Sequence, residues 1–351
     1  MNPKTKFAIA GAIIAVVIAV SFTANSSPFL SQNNTTTAND VIRIGYFLNL
    51  NHAQAVIGLG NGDFQKALGD VKIKPYTFNS GPEAVGALIA NGVDVTYVGP
   101  NPAINGYVKS KGEALRIIAG AASGGAVFVI RNDAGINSVD DFSGKKFASP
   151  QYGNTQDVSL RAYLLSNGYN TTENGGNVQV IPAKNAEILT LMVKKEIDGA
   201  WVPEPWGAKL VKEANGRIFV DERDLWPQGK FVTAHIIVNT AYLKNHHDII
   251  KKLLAAHVDE TMWINQNKEE SLKVFNTELE KLTGKTIPED ELQEAFSRME
   301  ITYDPVKESL FKSAYDAFDI GFLDTKPDLS EIYDLQLLNS VLEEKRLATI
   351  P

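Results

Sequence analysis

The chain has 351 residues, 44% hydrophobic and 21% charged, an ordinary globular composition at a length that suits two domains or two lobes. The formal charge is −7, and once residues 1–39 are set aside 32 bases face 41 acids, which argues against nucleic-acid binding through Lys and Arg on phosphates. There is no cysteine, which excludes disulfides, thiol catalysis, Cys-based zinc sites and a lipidated-cysteine tether.

Lys4 and Lys6 precede an apolar or small run, Phe7 to Val20, extended by Ser21 and Phe22. A basic start before such a run predicts a secretory signal or signal anchor over residues 1–23. The run is near the short limit for spanning a bilayer. No clean small-x-small cleavage site follows, so an uncleaved anchor is favoured over a removed signal. Lysines ahead of the run stay cytoplasmic, which places the rest of the chain on the extracytoplasmic face of the membrane. Residues 24–40 contain four Asn, three Ser and three Thr, too polar to fold, and read as a linker. Asn25, Asn33, Asn34 and Asn170 stand in N-x-S/T sequons.

From Val41 strands and helices alternate. Strands are predicted at 41–47, 71–78, 93–98 and 115–121, with helices at 56–68, from Ser80 onward, and at 102–109. In Ser80-Gly81-Pro82-Glu83, Ser80 and Glu83 have the spacing of a capping box, and Pro82 suits a first helical turn. The alternation restarts after a strand at 126–131: strands at 145–148, 178–181, 199–202 and 217–220, helices at 155–166, 186–195 and 206–214. A strand at 231–238 runs back toward the first unit, and 248–347 is helical almost throughout. This order predicts an α/β protein of two lobes, each an open sheet flanked by helices, with a helical C-terminal segment.

Ligands of such sheets bind beyond the carboxyl ends of the strands, where helices begin. Those junctions are Asn49-Leu50-Asn51-His52, Asn79-Ser80-Gly81, Gly99-Pro100-Asn101, Ser149 to Gln156, and Val202 to Trp206. They are rich in small, amide, hydroxyl and aromatic residues and contain no Lys or Arg. Free N–H groups at helix N-termini would hold a small anion there reversibly. Bland readings stand beside these. Gly81, Gly99 and Gly153 serve turns equally well, and Asn154 and Thr155 are equally helix caps. Glu204 caps the next helix or faces the cleft, His52 is a ligand donor or a first-turn residue, and Trp201 reads as core. His235 on the returning strand is a lesser cleft candidate. Phosphate-loop, H-E-x-x-H and G-x-S-x-G patterns are missing, and no enzyme activity, cofactor or metal site is expected.

Five blocks resemble the nitrate/sulfonate/taurine/bicarbonate family of ABC-importer substrate-binding proteins. They are Ser80-Gly81-Pro82-Glu83-Ala84-Val85; Val95 through Gly99-Pro100-Asn101-Pro102 to Asn105; Phe147 through Gln151-Tyr152-Gly153-Asn154-Thr155 to Asp157; Ala200-Trp201-Val202-Pro203-Glu204-Pro205-Trp206; and Asp221 to Pro227 with Phe231 to His235. They occur in the family's order. The resemblance implies a type II periplasmic-binding-protein fold with lobe 1 at 41–124 plus 237–351 and lobe 2 at 125–236. It implies a monomer that captures a small oxyanion (an aliphatic sulfonate, taurine or nitrate) between the lobes and delivers it to a permease and its ATPase. By carry-over, the binding residues are Asn51, His52, Ser80, Gly81, Gly99, Pro100, Asn101, Gln151, Tyr152, Gly153, Asn154, Thr155 and Glu204. Two alternatives stand beside this: a carrier of a thiamin pyrimidine precursor or similar heterocycle, and a pyrimidine-biosynthesis enzyme on the same fold.

Overall fold

The computed structural model describes residues 40–351. Six strands form one sheet: β1 (Val41–Tyr46), β2 (Lys72–Thr77), β3 (Val95–Val98), β4 (Leu115–Gly124), β10 (Val232–Asn239) and β11 (Met299–Ile301), in the order β11-β4-β10-β3-β1-β2. Five form another: β5 (Ala126–Arg131), β6 (Lys146–Pro150), β7 (Gln179–Ala183), β8 (Gly199–Pro203) and β9 (Gly216–Asp221), in the order β7-β6-β8-β5-β9. β1 lies parallel to β2 and β3, and β6 parallel to β7 and β8. The strands next to the lobe crossings, β5 and β10, run antiparallel to their neighbours.

Near-continuous apolar strands require helices on both faces, and the side-chain period of two sorts them. In β5, Phe128 and Ile130 pack with Trp201 of β8 and with Leu160 and Leu164 of α5 (Thr155–Ser166). Val127 and Val129 face the other way, against Ile188 of α6 (Asn185–Val193) and Leu210 of α7 (Trp206–Glu213). Trp201, fully buried as expected of a core residue, stacks on Phe128 with ring centroids 5.3 Å apart. Each such large side chain contributes about 1.5–3 kcal/mol by burial. In the first sheet Ile42, Ile44 and Ile236 pack on α1 (Ala53–Gly60) and α9 (His247–Gln266). Val98 and Ile237 pack on α3 (Gly81–Ile89), α4 (Pro100–Lys109) and α12 (Lys307–Asp319).

The chain leaves the first sheet at Gly124-Gly125, with φ of 74° and 73°, a conformation in which a Cβ is unfavourable. It returns between β9 and β10. Val232 already pairs with Ser123 and Ala234 with Ala122, so the lobe boundary expected at 236/237 falls inside β10. The expected helix at 56–68 is two helices, α1 and α2 (Asp63–Leu68), broken at Asn61-Gly62. The helical C-terminal segment is interrupted by β11, whose three residues carry no periodicity of their own and are held by antiparallel pairing to β4.

The expected anchor at 1–23, residues 24–39 of the linker, and the sequons at Asn25, Asn33 and Asn34 lie outside the described residues. Asn170 is exposed. No helix among the described residues is long and apolar enough to cross a membrane.

Candidate ligand-binding cleft

Loops from both sheets meet at one cavity of about 40 Å³, on the order of three waters. The first sheet supplies Phe47, Asn49, Asn51 and His52 after β1, Asn79, Ser80 and Gly81 after β2, Gly99 after β3, and Thr233 in β10. The second supplies Pro150, Asn154, Thr155 and Gln156 after β6, Asn185 after β7 and Pro203 at the end of β8. α3, α4, α5 and α6 therefore all begin at this cavity, and their N-terminal partial charges add there.

The N-cap residues Ser80, Gly99 and Asn154 are extended, and none makes a side-chain cap hydrogen bond. The capping box read from Ser80 and Glu83 is displaced by one residue: the Asn79 amide, not that of Ser80, donates to Glu83 Oε2 at 3.2 Å. In the second lobe Asp157 braces the loop instead, accepting from the Gly153 amide at 2.9 Å and the Ser149 hydroxyl at 2.6 Å. The Ser80 and Thr155 hydroxyls thus stay unused at the cavity wall.

Four buried side-chain atoms lining the cavity have no hydrogen-bond partner: Asn51 Oδ1, His52 Nδ1, Thr155 Oγ1 and Asn185 Oδ1. They are four of the eleven such atoms among the described residues, a concentration that requires a ligand or water to satisfy them. Burial pushes the His52 pKa down to about 3, so its imidazole is neutral at physiological pH. Phe47 packs edge-on against it, with centroids 4.7 Å apart. Neither Lys nor Arg lines the cavity among the described residues.

Seven of the residues expected at the site line this cavity: Asn51, His52, Ser80, Gly81, Gly99, Asn154 and Thr155. Six do not. Pro100 is buried in the first turn of α4, and Asn101 donates through Nδ2 to the Ser313 carbonyl at 3.1 Å. Gln151, Tyr152 and Gly153 form the outer turn of the loop before α5; the Tyr152 ring is 56% exposed and lies edge-on to Phe322 at 4.5 Å. Glu204 is fully buried away from the cavity. Arg298 Nη1 donates to its Oε1 at 2.7 Å and the Ala208 amide to its Oε2 at 3.0 Å. Desolvation raises the Glu204 pKa and Arg298 opposes that rise. The cap reading of Glu204 therefore holds and the cleft reading does not. His235 is likewise buried elsewhere, its Nε2 3.0 Å from the Pro305 carbonyl.

Phe47, Asn185 and Thr233 escaped the sequence reading. Phe47 continues the apolar run of β1, and β7 extends to Ala183, two residues beyond the strand expected at 178–181. Thr233 is the second residue of β10 and comes to the cleft by tertiary pairing: Asn51 Nδ2 donates to its Oγ1 at 2.8 Å. No group of three or more His, Asp or Glu is placed to hold a metal among the described residues.

Residues 36–276 match the NMT1-like family. The chain belongs to that family. A Brucella abortus binding protein is 27% identical over 225 residues, 61% of this chain and 67% of its own length. A Bacillus subtilis protein named for binding aliphatic sulfonates is 23% identical over 279 residues, 78% of this chain and 80% of its own. The fold is that of the periplasmic binding proteins. The alkanesulfonate-binding protein of Xanthomonas axonopodis pv. citri, bound to MOPS, superposes with a TM-score of 0.72 at 14% identity, covering 86% of this chain and 100% of that one. The periplasmic nitrate-binding protein of Synechocystis superposes with a TM-score of 0.69 at 16% identity, covering 87% and 89%.

Proposed function

We propose that this family member is the extracytoplasmic solute-binding component of an ABC importer, and that it captures a small oxyanion between its two lobes for delivery to a permease and its ATPase. The observation that carries the reading is the convergence of four helix N-termini and four unpartnered buried polar atoms on a cavity without Lys or Arg. Neutral donors and helix ends compensate an oxyanion without locking it into an ion pair, which suits capture followed by release. The names of the relatives, for sulfonates and nitrate, agree with this. A carrier also fits better than a catalyst, because a histidine with a pKa near 3 is too weak a base to activate Ser80 or Thr155 at neutral pH. The basic start and apolar run at the N-terminus would tether the monomer to the outer face of the membrane.

The test is a thermal-shift screen against nitrate, bicarbonate, sulfate, taurine, alkanesulfonates and pyrimidine precursors. A ligand at a hundredfold excess over Kd stabilises the native state by about 2.7 kcal/mol. A shift with one sulfonate or with nitrate is expected. A shift with a pyrimidine alone, or with none of the compounds, would overturn the oxyanion reading.

A further inference from the structure

A second pocket of about 350 Å³ adjoins the cleft and shares four of its walls, Phe47, Asn49, Asn79 and Asn185. The two differ sharply in character. The cleft is small and lined mainly by amides and hydroxyls. The annex has an apolar floor of Phe78, Trp206 and Ile287, and Lys184, Lys209 and Lys285 stand along it. The annex is built from five separate parts of the chain: the ends of β1 and β2, the starts of α6 and α7, and the 283–287 loop with the last turns of α10 (Lys268–Thr283).

Trp206 lines the annex and is tied to the wall that the two pockets share. Its Nε1 donates to Asn49 Oδ1 at 3.2 Å, a bond from the second lobe to the first at a residue that lines both pockets. Of the lysines, Lys209 pairs with Glu213 at 2.8 Å. Lys184 and Lys285 are exposed and form no ion pair among the described residues. Two uncompensated cations beside an apolar floor adjoin the small polar cavity, an arrangement that suits one extended ligand.

Building on the oxyanion reading, we infer that the ligand is an elongated dianion: an oxyanion head in the cleft, an apolar or aromatic body over Trp206 in the annex, and a second acidic group at Lys184 and Lys285. The volumes carry the argument. The cleft, at about 40 Å³, has room for on the order of three water-sized groups, so the body of a larger ligand extends past the shared walls into the annex. The body is held by burial of apolar surface. The distal acid gains a solvent-screened attraction from two exposed lysines, which corresponds to about two- to fivefold in affinity.

The experiment is titration calorimetry of the full chain with three probes: methanesulfonate, benzenesulfonate and 4-sulfobenzoate. Affinity is expected to rise in that order, by about tenfold or more from the first to the second. Lys184→Ala with Lys285→Ala should remove only the advantage of 4-sulfobenzoate over benzenesulfonate, and Trp206→Ala should weaken both aromatic probes more than methanesulfonate, narrowing the gap between them. Methanesulfonate binding as tightly as the aromatic probes would overturn this inference and leave the oxyanion reading standing. No binding of any probe would overturn this inference, and the anion screen then decides separately whether the oxyanion reading stands. Should Trp206→Ala fold poorly, the lysine pair, on the surface, still decides: an unchanged 4-sulfobenzoate advantage refutes the distal-acid subsite.

Discussion

Gly99 lies where the two lobes touch, and Gly99→Ala tests whether this contact is the closed state of a binding cleft. The backbone at Gly99 has φ of −70°, so an L-residue is tolerated there and the effect is purely steric. A methyl would stand 3.3 Å from Thr155 Cβ and 3.4 Å from the Thr233 carbonyl, and would overlap the Thr155 hydroxyl itself. Thr155 is 5% exposed and cannot turn outward without leaving the cavity wall. Overpacking of this kind costs about 1–3 kcal/mol. That cost falls on the closed state alone, because in an open state Thr155 is carried away with its lobe. The expected result is a Kd weakened by roughly 5- to 150-fold, with the melting temperature of the ligand-free protein nearly unchanged. Calorimetry with the best anion from the screen, together with a ligand-free melting curve, reads both quantities. Affinity within about twofold of the parent would refute the reasoning, since the lobes would then not close on Gly99 and Thr155 when ligand is held.

Three further outcomes follow from the structure. Asn154→Ala with Thr155→Ala should weaken binding at least tenfold, because both side chains line the cavity without serving as caps, while leaving the circular dichroism and melting curve of the free protein intact; full affinity in a folded double variant would move the site elsewhere. Glu204→Ala should cost about 1.5–3 kcal/mol in urea unfolding, since the Arg298 guanidinium, which is 10% exposed, loses one of its two carboxylate partners and keeps only Glu294; a loss below about 0.5 kcal/mol would show that Glu294 and solvent replace the lost bond. Glu222 concerns pH: burial pushes its carboxyl up to about 7, against the Trp201 Nε1 and Ser159 Oγ donors that lower it. A carboxyl with a higher pKa folded than unfolded binds more protons in the native state between about 4.5 and 7, so its contribution to stability falls as pH rises through that window. Glu222→Gln should therefore gain on the parent protein between pH 5 and pH 8, by on the order of 1–3 kcal/mol in denaturant unfolding; a pH-independent difference would show that Glu222 does not titrate there.

Much of the architecture was legible in the residues because strands buried on both faces announce themselves. Ala126-Val127-Phe128-Val129-Ile130 permits one reading, and its alternate side chains do go to opposite layers. The junctions were legible for a similar reason. Small and amide residues between an apolar run and a helix start, such as Asn79-Ser80-Gly81 and Asn154-Thr155, sit at strand carboxyl ends, which is where α/β sheets expose their backbone donors. What stayed hidden is direction. Asn101 is two residues from Gly99, yet about half a helical turn carries its amide to Ser313 and away from the cleft. Glu204 directly follows a strand that reaches the cleft at Pro203, yet its carboxylate turns inward to Arg298, 94 residues along the chain.

The sequence by itself determined the class of the fold, the two-lobed order of elements and the chemical character of the loops, because these depend on periodicity and on residues a few positions apart. Only the tertiary structure decided which of those loop side chains share a cavity, that Asn185 and Thr233 join them, and that an apolar annex opens beside it. Those facts depend on the phase at which each helix leaves its strand and on how the two sheets approach one another, and neither quantity is local in the chain.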